Sequence, residues 1–317
     1  MADHDSAPAG GPDIRVGTAG WTDRALLACG WYPPEATTPE RRLSYYATRF
    51  RMVEVDATYY HPPSQRTVEA WRDRTPADFV FNVKAFSLLT RHPTPVASLY
   101  KDLRERVGAG RRTVYLDDVG EEVAAEVWDR FRSALLPLHR AGRLGAVLLQ
   151  FPPWFTPGPG SREYILSCVE RCRPLRACVE FRNAAWLAPE RRERTLDFLA
   201  GHDIPYVCVD MPQGHRSSVP PVVAATADLA VVRFHGHSAQ WESKVSEERY
   251  RYLYGEEELA KWAVEISGLA GRARTVHVIM NNCCGANAQR NAARLAELLE
   301  VAPPGPDQTS MDPPLRQ

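Results

Sequence analysis

Short β-branched runs that end in polar residues alternate along the chain with segments whose apolar residues recur at helical spacing. Eight runs read as strands: Ile14–Gly17, Met52–Thr58, Phe79–Ala85, Gly145–Phe151, Ala177–Arg182, Tyr206–Asp210, Leu229–His235 and Thr275–Asn281. Helical periodicity marks Ser64–Arg74, Glu121–Arg140, Ser161–Cys172, Pro189–Gly201, Glu256–Leu269 and Ala288–Glu300. Start signals support them. Thr38-Pro39 sets an N-cap before proline at the first helical position, and Ser64 and Ala188-Pro189 are similar start signals. Strands that alternate with helices predict one α/β domain, a single (β/α)8 TIM-type barrel over residues 13–300. The helix between strands six and seven is weak or missing, because Pro212–Asp228 is rich in Pro, Gly and Ser. Residues 86–120 exceed a normal connection and read as an insertion. Residues 1–12 and the Pro-rich 301–317 cannot build a core and are expected to be tails.

Alternation within strands aims specific groups at the barrel interior. If Val53 and Val55 face the helices, then Glu54, Asp56 and Thr58 face inward. The same parity turns Lys84 inward with Asn82, Gln150 with Leu148, Glu180 with Arg182, Asp210 with Cys208, Arg233 with His235, and Asn281 with Ile279. Seven of the eight strands thus carry a charged or amide group near the C-terminal end, the face where barrel enzymes build their active sites. Simple neutralisation is the competing reading, with Lys84 paired to Glu54 and Arg233 to Asp210. Burying so many charges costs several kcal/mol per unpaired ion, so a functional role is the better expectation for the set. Eight strands about 4.8 Å apart and tilted about 36° place strands two and five roughly 14 Å from each other. The Glu54 and Glu180 carboxylates would then lie on the order of 5–8 Å apart, a spacing that suits an acid/base pair.

Composition narrows the classes. The 317 residues carry 39 Lys plus Arg against 39 Asp plus Glu, a net charge of zero, which gives no support to a nucleic-acid-binding protein. The most apolar run, Leu144–Phe151, is far too short to span a membrane, and residues 1–13 hold no apolar signal core. Seven Cys, an odd number, suit reduced thiols and a cytoplasmic location. Only four cations are Lys, at 84, 101, 244 and 261, and Lys84 alone is expected inside the barrel.

The segments Gly17-Thr18-Ala19-Gly20-Trp21, Val53-Glu54-Val55-Asp56-Ala57-Thr58-Tyr59-Tyr60, Val83-Lys84-Ala85, Gln150-Phe151-Pro152-Pro153, Val179-Glu180-Phe181-Arg182 with Trp186, Arg233-Phe234-His235-Gly236, and Asn281-Asn282 followed by Arg290-Asn291-Ala292 resemble the YecE-like family, domain of unknown function 72. The resemblance runs from about residue 14 to residue 300. It implies a TIM-type barrel and no established activity. The chain departs from the family pattern at Cys283, Cys284 and Asn287.

Three chemistries suit these residues. The first is acid/base catalysis on a small polar, anionic or sugar-like ligand. Glu54 or Glu180 would act as acid or base and His235 as proton carrier. Lys84, Arg182 and Arg233 would hold an anionic group, while Asp210, Gln150, Asn281 and Asn282 would orient hydroxyls. Trp21, Tyr60 and Trp186 would stack on a ring. The second is a divalent-metal isomerase or phosphodiesterase-like barrel using Glu54, Glu180, Asp210 and His235; one His235-Gly236-His237 is a weak metal signal. No cofactor is otherwise expected. The third is a non-catalytic ligand- or nucleic-acid-binding protein. The segment His235–Gly255 follows strand seven and is expected to cover part of the site. Oligomeric state is not legible.

Overall fold

A computed structural model describes residues 13–107 and 110–304. Eight parallel strands form the sheet: β1 (Asp13–Ala19), β2 (Met52–Val55), β3 (Val80–Lys84), β4 (Leu144–Gln150), β5 (Ala177–Glu180), β6 (Val207–Asp210), β7 (Leu229–Phe234) and β8 (Thr275–Met280). Their order around the sheet is β5-β4-β3-β2-β1-β8-β7-β6. A parallel bridge between Val179 and Tyr206 joins the two edges, so the sheet closes into the expected TIM-type barrel. The seam is thin. Val179 donates its amide to Pro205 O at 2.9 Å, and proline has no amide to return.

Helices cover the barrel: α1 (Pro39–Ala47), α2 (Gln65–Asp73), α3 (Glu121–Arg140), α4 (Pro159–Cys172), α5 (Arg192–Ala200), α6 (Glu256–Ala270) and α7 (Asn287–Leu298). The sequence caps work as read at two of them. Thr38 Oγ1 accepts from the Arg41 amide at 3.3 Å and Ser64 Oγ from the Thr67 amide at 3.1 Å. Helix α5 starts three residues later than expected, because the chain turns through Ala188–Arg191 before the helix forms; the Arg191 and Arg192 amides both return to Ala188 O. Residues 212–228 contain neither helix nor strand, in line with their Pro content. The insertion after β3 is built from short 3-10 segments, the longest Lys101–Val107, and a two-residue ribbon, Thr94–Pro95 against Thr113–Val114.

Tight packing fixes the first two strands. Gly17 pairs with Met52, and a Cβ at Gly17 would collide with the Met52 carbonyl. Tyr46 of α1, fully buried, accepts from the Thr18 amide at 2.8 Å and donates to Met52 O at 3.1 Å. One phenol thereby locks helix, β1 and β2 together. Residues 1–12 and 305–317 of the expected tails lie outside the described residues. Val301–Pro304, read as tail, pack against the barrel: the Val301 amide bonds Ala296 O at 2.9 Å and Arg51 Nη2 bonds Pro303 O at 3.1 Å. No helix among the described residues is long and apolar enough to cross a membrane.

Candidate functional site

Arg233 stands at the centre of the barrel interior, with no exposed surface. Its Nε donates to Glu54 Oε1 at 3.0 Å, its Nη2 reaches the same oxygen, and its Nη1 donates to Glu180 Oε2 at 2.6 Å. Strand parity put all three side chains inward, and the structure joins them. The guanidinium occupies the space between the two carboxylates that were expected to flank a ligand. Neither pairing expected under simple neutralisation forms. Arg233 does not meet Asp210, and Lys84 meets Asp56 instead of Glu54, at 3.7 Å.

A second set of polar groups lies around this centre. Arg182 Nε donates to Glu180 Oε1 at 2.5 Å, and its Nη2 lies 3.3 Å from Gln150 Oε1 and 3.1 Å from His235 Nε2. The other ring nitrogen of His235 meets Asn281 Nδ2 at 2.9 Å. Asp56 follows β2 and is the open member: its side chain is 28% exposed, against 0% for Glu54 and Glu180. Its Oδ1 sits 3.5 Å from Arg233 and 3.7 Å from Lys84 yet makes no hydrogen bond. Glu54 Oε2 is buried without a partner as well.

Electrostatics divides the carboxyls. Burial pushes Glu54 up to about 8 against the pull of Arg233, with Asp56 adding to the rise. Burial also opposes ionisation of Glu180, but Arg182, Arg233 and His235 together outweigh it and hold the group well below its usual range. Asp56 is likewise held low, since Lys84 and Arg233 overcome its burial. Burial, reinforced by Arg182, lowers His235 to about 3. Its imidazole is therefore neutral at ordinary pH, which removes the charge change expected of a proton carrier.

The remaining expected residues divide between the mouth and other tasks. Trp21 is buried near the first loop, edge-on to Trp71 at 6.0 Å, with Nε1 unpartnered. Tyr60 is 65% exposed on the rim. Trp186 does not reach the cavity. It is fully buried, stacked on Phe181 at 4.4 Å and Phe155 at 5.8 Å, and its Nε1 donates to Phe155 O at 2.7 Å. Asp210 turns away from the central charges to accept from Tyr254 Oη at 2.6 Å and to meet His237 Nε2 at 2.8 Å. Asn282 bonds Asn291 Oδ1 at 2.9 Å and Tyr252 O at 3.0 Å, fastening the loop to α7. Asn82, at the other end of the interior, meets His277 Nδ1 at 3.0 Å. Among the described residues no three His, Cys, Asp or Glu side chains converge as a metal donor set. Of the four groups considered for one, Glu54 and Glu180 are engaged by Arg233 and Asp210 faces elsewhere.

The segment after β7 does cover part of the site. Trp241 lies edge-on to His235 at 6.0 Å, and the Arg182 guanidinium is 5.9 Å from its ring. Strand periodicity missed Asp23, which lies in the loop after β1. Burial, helped by Asp56, raises its pKa to about 6, and it has no cation to pair with among its described contacts. The signal was Gly20: its φ of 87° is a left-handed conformation that favours glycine. A Cβ there would also come 3.0 Å from Asp23 Oδ2.

Comparison with known proteins agrees with this architecture. Residues 15–315 match the family model described as protein of unknown function DUF72. UPF0759 protein YunF of Bacillus subtilis (strain 168) is 30% identical over 295 residues, 91% of this chain and 95% of that protein. A crystal structure of a DUF72 family protein from Thermotoga maritima MSB8 is 32% identical with a TM-score of 0.70, covering 91% of this chain and 99% of that one. Another from Enterococcus faecalis V583 is 25% identical with a TM-score of 0.74, covering 93% and 99%. The closed barrel, its inward charges and these matches along nearly the whole chain lead to one conclusion: the chain belongs to the DUF72 family.

Proposed function

We propose that this barrel is an enzyme that transfers protons on a small polar ligand bound at its C-terminal mouth. The observation that carries the reading is the pair Glu54 and Asp56. Glu54 Oε2 and Asp56 Oδ1 both lack a hydrogen-bond partner, the first on a wholly buried side chain held by Arg233, the second on a partly exposed side chain beside Lys84, so burial raises Glu54 while Lys84 and Arg233 hold Asp56 down. Such a split marks an acid and a base in one site. Asp56, the partly exposed member, touches the ligand. Glu54 holds the proton below it. Lys84 stands beside Asp56 and supplies a positive charge for any negative charge that develops on the ligand. Glu180 and Arg182 do not exchange protons here. Their ionic contacts orient Arg233, which in turn fixes Glu54. His235, neutral and 3.1 Å from Arg182 Nη2, positions Arg182 and is left outside the transfer.

The test has two parts. Carbon-detected NMR of carboxyl groups should show Glu54 still protonated at pH 7 and titrating near pH 8. Glu54 found fully ionised at pH 6 would end the proposal. Incubation with a cell metabolite extract, read by mass spectrometry, should then show a compound consumed by the native protein. Asp56→Asn should slow that consumption by about 100-fold or more, the usual size of a lost acid/base group.

A further inference from the structure

A cavity of about 620 Å³ lies beside the barrel mouth. It is lined by Arg91, Tyr115 and Asp117 from the insertion after β3, by Trp154 from the loop after β4, and by Gly160 and Ser161 at the start of α4. Both loops leave the C-terminal ends of their strands, so the cavity shares a face with the charged site. We infer that it binds one sugar ring of a neutral oligosaccharide whose further units extend toward Asp56. This inference deepens the proton-transfer reading and rests on it for those further units.

Three features select that ligand. Trp154 and Tyr115 are 46% and 47% exposed, unusual for large rings, and present apolar surface to the C–H face of a sugar. The polar groups around them both donate and accept, as hydroxyls require. Arg91 keeps a 40% exposed side chain, with its guanidinium held over the Tyr164 ring at 4.2 Å. Asp117 is 3.7 Å from Arg91 and largely exposed, so its oxygens remain free to accept. The Gly160 and Ser161 amides, in the first turn of α4, have no acceptor within the helix, and Gly158 provides no side-chain cap. The carboxylate of Asp117 disfavours a phosphate or other anion in the same place.

Side-chain contacts connect the cavity wall with the site. The Trp154 ring is 6.1 Å from His92, and His92 is 5.2 Å from Tyr59. Lys84 Nζ lies 4.9 Å from the Tyr59 centroid and 3.7 Å from Asp56. Packed rings, with His92 buried among them, thus link the wall of the cavity to the open carboxylate.

The experiment uses the full chain labelled with 5-fluorotryptophan, with the Trp154 signal assigned through Trp154→Phe. Cellotriose, maltotriose, mannotriose and chitotriose are titrated to about 10 mM, a weak-binding range. At least one should give a saturable shift of the Trp154 signal. Asp117→Ala should weaken that binding at least tenfold, and Val264→Ala, at a 72% exposed position on α6, should leave it within threefold. The inference fails if no trisaccharide moves the signal, if AMP or inorganic phosphate moves it and the sugars do not, or if Asp117→Ala leaves the binding unchanged. Binding at Trp154 with Glu54 ionised at pH 6 would retain the sugar site and retire the proton-transfer reading. The opposite pair of results would retire the sugar site alone.

Discussion

Asp23 shows how one loop residue can carry a cost that only makes sense at a site. Its pKa is raised from 3.8 to about 6, first by burial and then by Asp56. The folded state therefore holds this proton more tightly than the unfolded chain does. As pH rises from about 4 to about 6, the unfolded chain loses the proton first, and stability falls through that window. Above about 6 the whole penalty is in place. Asp23→Asn should accordingly stabilise the protein at pH 7.5 by about 1–3 kcal/mol, with the gain gone by about pH 4. Urea unfolding at the two pH values measures it; an equal effect at both would contradict the assignment. The residue escaped a reading based on strand alternation because it belongs to a turn, where no period applies. Glu54, Glu180 and Arg233 were legible for the opposite reason: each sits on a regular strand whose apolar neighbours fix its direction.

At the scale of elements, close approach between strands sets the tolerances. A Cβ on Gly17 would strike the backbone carbonyl of Met52, which its own ladder holds in place, whereas one on Gly145 would come 2.5 Å from His277 Cε1 and 2.6 Å from Asn82 Oδ1, both side-chain atoms. Side-chain ends can yield and a paired backbone cannot. Gly17→Ala should therefore cost about 3 kcal/mol or more, and Gly145→Ala about 1–3 kcal/mol. Chemical denaturation of the two variants gives the order, and equal losses would show that the backbone contact relaxes. Element positions were largely readable. All eight strands and the bare connection at 212–228 followed from periodicity and proline content. Aromatic roles were not. Trp186 lies in a loop like Trp154, yet Phe155 and Phe181 sandwich the first while the second stays open. Sequence spacing carries no information about which rings will find partners across the fold. The same gap hid the turn of Asp210 toward Tyr254 and His237, since both come from segments after β7.

For the molecule as a whole, the barrel is uneven around its circumference. Strands β1 and β8 pair over six residues, while β5 and β6 meet through one bridge. Opening at that seam breaks few hydrogen bonds. Native-state hydrogen exchange should find the Val179 amide less protected than those of Val16 and Val278, by about tenfold or more. Uniform protection around the ring would mean that interior side chains, not the ladder, hold the seam shut. Arg233 is the side chain placed to do so, because it ties β7 to both β2 and β5. Its position has a consequence for descent. A guanidinium shared by Glu54 and Glu180 cannot be exchanged alone, since its loss leaves the buried Glu180 charge short of a partner and its own charge has no place without them, at about 3–5 kcal/mol. A lineage that alters Glu54, Glu180 or Arg233 must change the others almost at once or pass through a poorly folded intermediate. Neighbouring loops are free of that constraint, so new ligand preferences can accumulate at the rim while the charged centre stays fixed by its own interdependence.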